Sequence, residues 1–271
     1  MTGSLTHRAS APIWYDQGMK NVNGMDIARP NEGQTGFELV FAFLRERLLA
    51  GSLRPGDRLL PERELAALLG VSRPIVREAL RALNALGIVE IRERSGTVVR
   101  TPDVTVLNDF FAFALAQQDG LADDVMQARI AVECQSIRLA CASASVADLE
   151  RLQRALQRIV ETIDDHEAGG AADYAFHRAI VTAGGSRTLG VLHDAMAHVL
   201  MRSHIARREL VQLVAPMRAY LIEDHRRIFD AVAARDPVRA DAVLREHFAI
   251  GDDFRRQAAL AVAAPARATG R

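Results

Sequence analysis

Residues Pro61–Arg100 read PERELAALLGVSRPIVREALRALNALGIVEIRERSGTVVR, and they decide the fold of the N-terminal part of this 271-residue chain. Leu65, Leu68 and Leu69 form the apolar side of a short helix that Gly70 ends in a tight turn. Ser72 is the N-cap candidate of a second helix, and Pro74 falls in its first turn, where a missing N–H costs nothing. Along that helix Val76, Leu80 and Leu83 recur at i, i+4 and i+7, with Ile75, Ala79 and Leu86 widening the stripe. Arg73, Arg77 and Arg81 share another face, centred roughly 140° away at about 100° per residue. Gly87 closes the helix. Ile88–Ile91 and Thr97–Arg100 then alternate as strands about Ser95-Gly96, a tip that tolerates positive φ. Helix, turn, helix and hairpin make a winged helix-turn-helix, whose apolar side buries while the arginine side can meet duplex DNA. A solvated Arg/Glu face with Glu78 fits the spacing equally well. The preceding turn, and Arg92 and Arg94 beside the hairpin tip, favour DNA.

With 49% hydrophobic residues the chain can bury a substantial core, and its length suits two domains. Net charge is zero but unevenly spread: residues 34–101 hold 11 arginines against 8 acidic residues. So small an excess supports phosphate binding through local placement and not through bulk attraction. Cys134 and Cys141 lie seven apart on one expected helix, about 10.5 Å at 1.5 Å rise, too far for a disulfide. Buried thiols in a reducing cytosol are expected. No apolar run reaches a membrane span and no signal peptide is legible, so a cytoplasmic protein is expected. Residues 1–33 and 258–271 lack any hydrophobic period and read as flexible tails around a DNA-binding domain over 34–101 and a helical domain over 102–257.

That second domain is helical in period throughout. Helices are expected near Val106–Gln118, Asp123–Ala142, Val146–Glu167, Ala171–Ala183, Thr188–Glu209, Ala215–Ala234 and Pro237–Gln257. Breaks fall at Gly120, Gly169-Gly170, Gly184-Gly185 and Asp236-Pro237. The fold class is therefore mainly α: a winged helix-turn-helix followed by an antiparallel bundle of about seven helices.

Four ionisable residues occupy positions where that period asks for apolar ones. Asp173 and His177 are spaced i, i+4; His225 falls between Leu221 and Ile228, and His247 between Val243 and Ile250. Isolated buried polar groups are costly, so these four point to a shared partner, for which a divalent transition metal is economical. Separate hydrogen-bonded core histidines are the plainer alternative. His166, His193, His198 and His204 show no comparable pattern and receive no role.

The first motif resembles the DNA-binding domain of the GntR family of bacterial transcriptional regulators, whose pattern is close to LPSERELA…LGVSR..VREAL..L...G. The resemblance implies DNA contacts from Arg63, Ser72, Arg73, Arg77 and Gly96, with Arg73 and Arg77 reading the major groove. The family's serine before Glu-Arg-Glu is replaced, since the chain reads Leu60-Pro61-Glu62-Arg63-Glu64. That removes a capping oxygen worth about 0.5–2 kcal/mol. The helical part resembles the FCD effector domain of the FadR-type subgroup. Metal-binding members carry D-x-x-x-H and two later histidines; DYAFH, EDHRRIF and LREHF supply Asp173, His177, His225 and His247. Zinc is the first expectation for the ion, nickel or manganese the others. Acyl-CoA-responsive relatives lack this full set.

The same resemblance places Arg129 and Glu133, from QARIAVECQ, beside an effector that would be a small organic or hydroxy acid. A structural Arg129–Glu133 ion pair fits the spacing equally. The whole implies a ligand-responsive regulator and not an enzyme, most simply a repressor, acting as a homodimer on a pseudo-palindromic operator. Two other readings stay open on the residues: a metal-dependent enzyme with a DNA-binding appendage, and a metal-stabilised structural DNA-binding protein without a ligand.

Overall fold

The computed structural model describes residues 35–93, 96–115, 121–213 and 216–263. The chain divides into two compact units, Met1–Asp103 and Val104–Arg271.

The first unit holds α1 (Gly36–Leu49), α2 (Glu62–Leu69), α3 (Arg73–Ala85), β1 (Val89–Arg92) and β2 (Gly96–Val99). Helix α1 was not foreseen. Thr35 caps it by accepting from the Glu38 N–H, and the Glu38 carboxylate accepts from the Thr35 N–H at 2.8 Å. Its Val40 and Leu44 join Leu65, Val76, Leu80 and Leu83 in the core of the unit. Gly70 and Gly87 adopt φ of +65° and +68°, as the two tight turns demand. Ser72 stands at the N-cap of α3, yet its side chain makes no capping hydrogen bond. Helix α2 likewise starts at Pro61 with no side-chain cap, the cost of the missing serine.

Strands β1 and β2 pair antiparallel in the register Val89↔Val99 to Arg92↔Gly96, one residue displaced from the expected ends. The chain before α2 adds a third edge: the Leu59 N–H donates to the Thr97 carbonyl and the Val99 N–H to that of Asp57. Ser95 and Arg94 lie outside the described residues. Gly96 has φ +80°, and the Arg58 Nε lies 3.3 Å from where a Cβ would sit.

The second unit contains eight helices among the described residues. They are α4 (Val106–Leu115), α5 (Leu121–Ser143), α6 (Val146–Glu161), α7 (His166–Ala183), α8 (Arg187–Ala195), α9 (Ala197–Leu213), α10 (Pro216–Ala233) and α11 (Pro237–Ala263). Helices α5, α6, α7, α10 and α11 enclose a core built on Ile137, Leu152, Phe176, Ile180, Ile228 and Leu244. Each such side chain contributes about 1.5–3 kcal/mol by leaving water.

Three boundaries differ from expectation. Gly169-Gly170 does not break a helix; the break comes earlier, and Asp165 caps α7 by accepting from the Ala168 N–H at 2.9 Å. The glycines serve close approach instead: a Cβ on Gly170 would lie 2.7 Å from the Ile205 Cα of α9. The expected helix Thr188–Glu209 is two, parted at Met196. Helix α11 runs six residues past Gln257, so 258–263 is helical and not tail. Residues 1–33 and 264–271, the rest of the expected tails, lie outside the described residues.

Cys134 and Cys141 are both buried and free, and burial pushes the Cys134 thiol up to about 11. Among the described residues no helix is long and apolar enough to cross a membrane.

Candidate functional site

In the first unit, Arg63, Ser72, Arg73, Arg77 and Gly96 are all exposed. Arg63 rises from α2, Ser72 stands at the N-cap of α3, Arg73 and Arg77 lie in its first half, and Gly96 begins β2. Arg77 is engaged: its Nη2 donates to the Glu62 carboxylate at 2.8 Å and its Nε to the same oxygen at 3.2 Å. The pair raises the Arg77 guanidinium and lowers the Glu62 carboxyl. Being exposed, it is screened by salt and exchanges readily for another acceptor such as a phosphate or a guanine edge. Arg92 is tied in the same manner to Glu90 at 2.9 Å.

In the second unit, Asp173, His177, His225 and His247 converge. All four are buried, and one ligand atom from each lies within 4.8 Å of those from the others. An ion about 2.0–2.2 Å from every donor allows separations of up to about 4.4 Å, so only slight closing is needed.

The hydrogen bonding around them tests the fit. His225 Nδ1 donates to the Leu221 carbonyl at 2.8 Å, so in the neutral ring Nε2 carries the lone pair, and that atom faces Asp173 Oδ1 at 3.3 Å. His247 Nδ1 is held by Asp224 Oδ2 at 2.6 Å. His177 sits with Nδ1 2.6 Å from Glu133 Oε2 and Nε2 3.3 Å from Asp173 Oδ1. Ring nitrogens thus face a carboxylate, an arrangement that a cation relieves, and His225 and His247 are each oriented from behind by an acceptor. The donor set fits a divalent transition ion.

Electrostatics agree. Burial alone would raise the Asp173 carboxyl, but His204 and His225 hold it well below the usual carboxylate range. Burial, with His225 and His177 next, pushes His247 well below its ordinary value, so its imidazole is neutral as a ligand must be. Burial raises the Asp224 carboxyl against the pull of His225 and Arg227.

Arg129 and Glu133 join the same interior. Arg129 Nε donates to Glu133 Oε1 at 2.7 Å, and its guanidinium carbon lies 4.7 Å from the centre of the Phe248 ring. Burial would raise the Glu133 carboxyl, but Arg129 and His177 hold it well below the usual range. The ion pair is therefore real. It does not exhaust the arginine, whose Nη1 and Nη2 are buried without a hydrogen-bond partner among the described residues.

Two histidines given no role from the sequence belong here after all. His204 is fully buried with Nδ1 3.0 Å from Asp173 Oδ1, and His193 is buried against Tyr174 with Nε2 3.5 Å from Glu133 Oε1. Their neighbours Arg208 and Asp224 were missed as well. One signal was available: Leu200, His204 and Arg208 recur at four-residue spacing and all face inward on α9. Asp224 gives no such signal, since only the fold brings it to His247. His166 is partly exposed and His198 exposed.

Comparison with known proteins agrees with both units. Residues 38–99 match the model of bacterial regulatory proteins of the gntR family, and residues 124–249 match that of the FCD domain. The HTH-type transcriptional regulator LutR of Bacillus subtilis is 32% identical over 206 residues, covering 75% of this chain and 93% of LutR. The HTH-type transcriptional repressor NanR of Citrobacter rodentium is 31% identical over 216 residues, covering 78% and 81%. Among solved structures, a Streptococcus agalactiae GntR protein superposes with a TM-score of 0.61 at 23% identity, covering 80% of this chain and 99% of that one, a likeness of fold. With an N-terminal winged helix-turn-helix and a C-terminal FCD bundle, the chain belongs to the GntR family of bacterial transcriptional regulators.

Proposed function

We propose that this regulator is controlled by a small organic acid bound beside a divalent metal in its helical unit, and that it represses transcription as a homodimer on a pseudo-palindromic operator. The convergence of Asp173, His177, His225 and His247 with the buried, half-used Arg129 carries the proposal. These four residues would hold the ion, which supplies positive charge and open positions for an acid's oxygens. Arg129 would clamp the carboxylate through Nη1 and Nη2, while Glu133 keeps its Nε side fixed. Zinc is the first candidate, because three imidazoles and one carboxylate suit it, with nickel or manganese next.

On the DNA side, Arg73 and Arg77 would read the major groove, Arg63 and Ser72 would position the backbone, and Gly96 would admit the wing to the minor groove. The repressor role is carried over from NanR, which bears that name. Acid and operator affinities must be reciprocally coupled, whichever sign the coupling takes. A thermal-shift screen of organic acids against apo and metal-loaded protein tests the reading. Stabilisation should require both the ion and Arg129, and a response to no acid under either condition would refute it. Elemental analysis of His225→Ala should show lost metal; undiminished metal would refute the ligand set.

A further inference from the structure

Arg129 has a counterpart on α9. Arg208 is fully buried on α9, and its Nε donates to Asp173 Oδ2 at 3.2 Å, just as Arg129 Nε donates to Glu133. In both, one carboxylate fixes the inner edge and leaves Nη1 and Nη2 buried with no hydrogen-bond partner among the described residues. His204, one turn before Arg208, completes the parallel. Its Nδ1 lies 3.0 Å from Asp173 Oδ1, and its Nε2 is buried and unpartnered. A ring whose Nδ1–H is spent on a carboxylate offers at Nε2 only a lone pair, an acceptor for a hydroxyl hydrogen.

Two forked cations with open edges are too costly to bury for packing alone. Charge balance points the same way. Glu133 is matched by Arg129 and Asp173 by Arg208. A divalent ion beside these two matched pairs would leave positive charge for an acidic effector to neutralise.

We infer that Arg208 and His204 form a second anion subsite, and that the effector is a hydroxy acid carrying two carboxylates, one for each buried guanidinium. The inference rests on the acid-sensing reading and narrows it. Asp173 becomes the shared element, holding the ion through one oxygen and aiming Arg208 through the other. An acid spanning both arginines would connect α5 to α9, whereas a monocarboxylate would engage α5 alone.

Matched pairs of acids test this by calorimetry on the metal-loaded full-length protein. Malate is compared with 2-hydroxybutyrate, and 2-hydroxyglutarate with 2-hydroxyvalerate, each pair differing by one carboxylate. The wild type should bind the better diacid at least about tenfold more tightly than its monoacid partner. In Arg208→Gln, with metal content checked by elemental analysis, that preference should vanish while monoacid affinity holds. Should Arg208→Gln fold poorly or lose metal, Arg208→Lys is used, which keeps the charge and loses the fork; a shrunken diacid preference is again expected. In Arg129→Gln both classes should weaken. Equal affinity for both members of each pair in the wild type would mean that the Arg208 amines hold water only, and the inference falls. It falls equally if Arg208→Gln keeps the preference. Binding of none of the four acids to the wild type would be a separate result, removing the acid-sensing reading itself.

Discussion

His225 and His247 show what a single side chain contributes to the site. Each is presented by its Nδ1 contact, to the Leu221 carbonyl in one case and to Asp224 in the other. Removing such a partner typically costs 10–100-fold in metal affinity without touching a ligand. Asp224→Asn should therefore weaken metal binding by about that factor in a chelator competition, with fold retained by circular dichroism; unchanged affinity would make Asp224 a mere packing residue. In the DNA-binding unit the corresponding residue is Arg77, which rests on Glu62 and would have to leave it to reach a base. Arg77→Ala should cost about 1–3 kcal/mol of specific operator binding. An equal loss on random duplex DNA would reduce Arg77 to a phosphate contact.

Among the helices, α7 and α9 carry the most consequential contact. Asp173 and His177 face inward from α7, and His204 and Arg208 meet them from α9. Gly170 lets the two helices approach. A methyl on Gly170 would lie 2.6 Å from Ile205 Cγ1 and 2.8 Å from its backbone nitrogen. Gly170→Ala should thus destabilise the helical unit by about 1–3 kcal/mol, read as a fall in the denaturant midpoint. A stabilised variant would show that helix propensity outweighs the close packing.

Gly169 and Gly170 also mark where sequence reading stops. Gly-Gly is locally a helix breaker, and nothing local reveals a helix laid across it. Helix α1 is the opposite case: Thr35, Glu38, Val40 and Leu44 carry the cap and the period in the local sequence itself. The winged motif was legible because turn glycines, a proline and two apolar stripes all agree. The convergence of Asp173, His177, His225 and His247 was legible because they interrupt apolar stripes. Asp224 and His193 were not, since their roles arise only when distant helices meet.

At the scale of the molecule, the chain joins a unit with an exposed arginine face to a unit whose interior holds ionisable groups in place of oil. A family match over residues 38–99 and 124–249 fixes its class as a regulator. The central claim is that occupancy of the polar interior alters the hold on DNA. Coupling of this kind is commonly 5–150-fold and reciprocal. The most direct measurement is fluorescence anisotropy of an operator duplex, selected by the protein from a random pool, titrated with metal-loaded wild type at constant salt. Saturating the tightest-binding acid should shift operator affinity by at least about fivefold, and Arg129→Gln should abolish the shift while still binding DNA. Identical operator affinity with and without a bound acid would contradict the account.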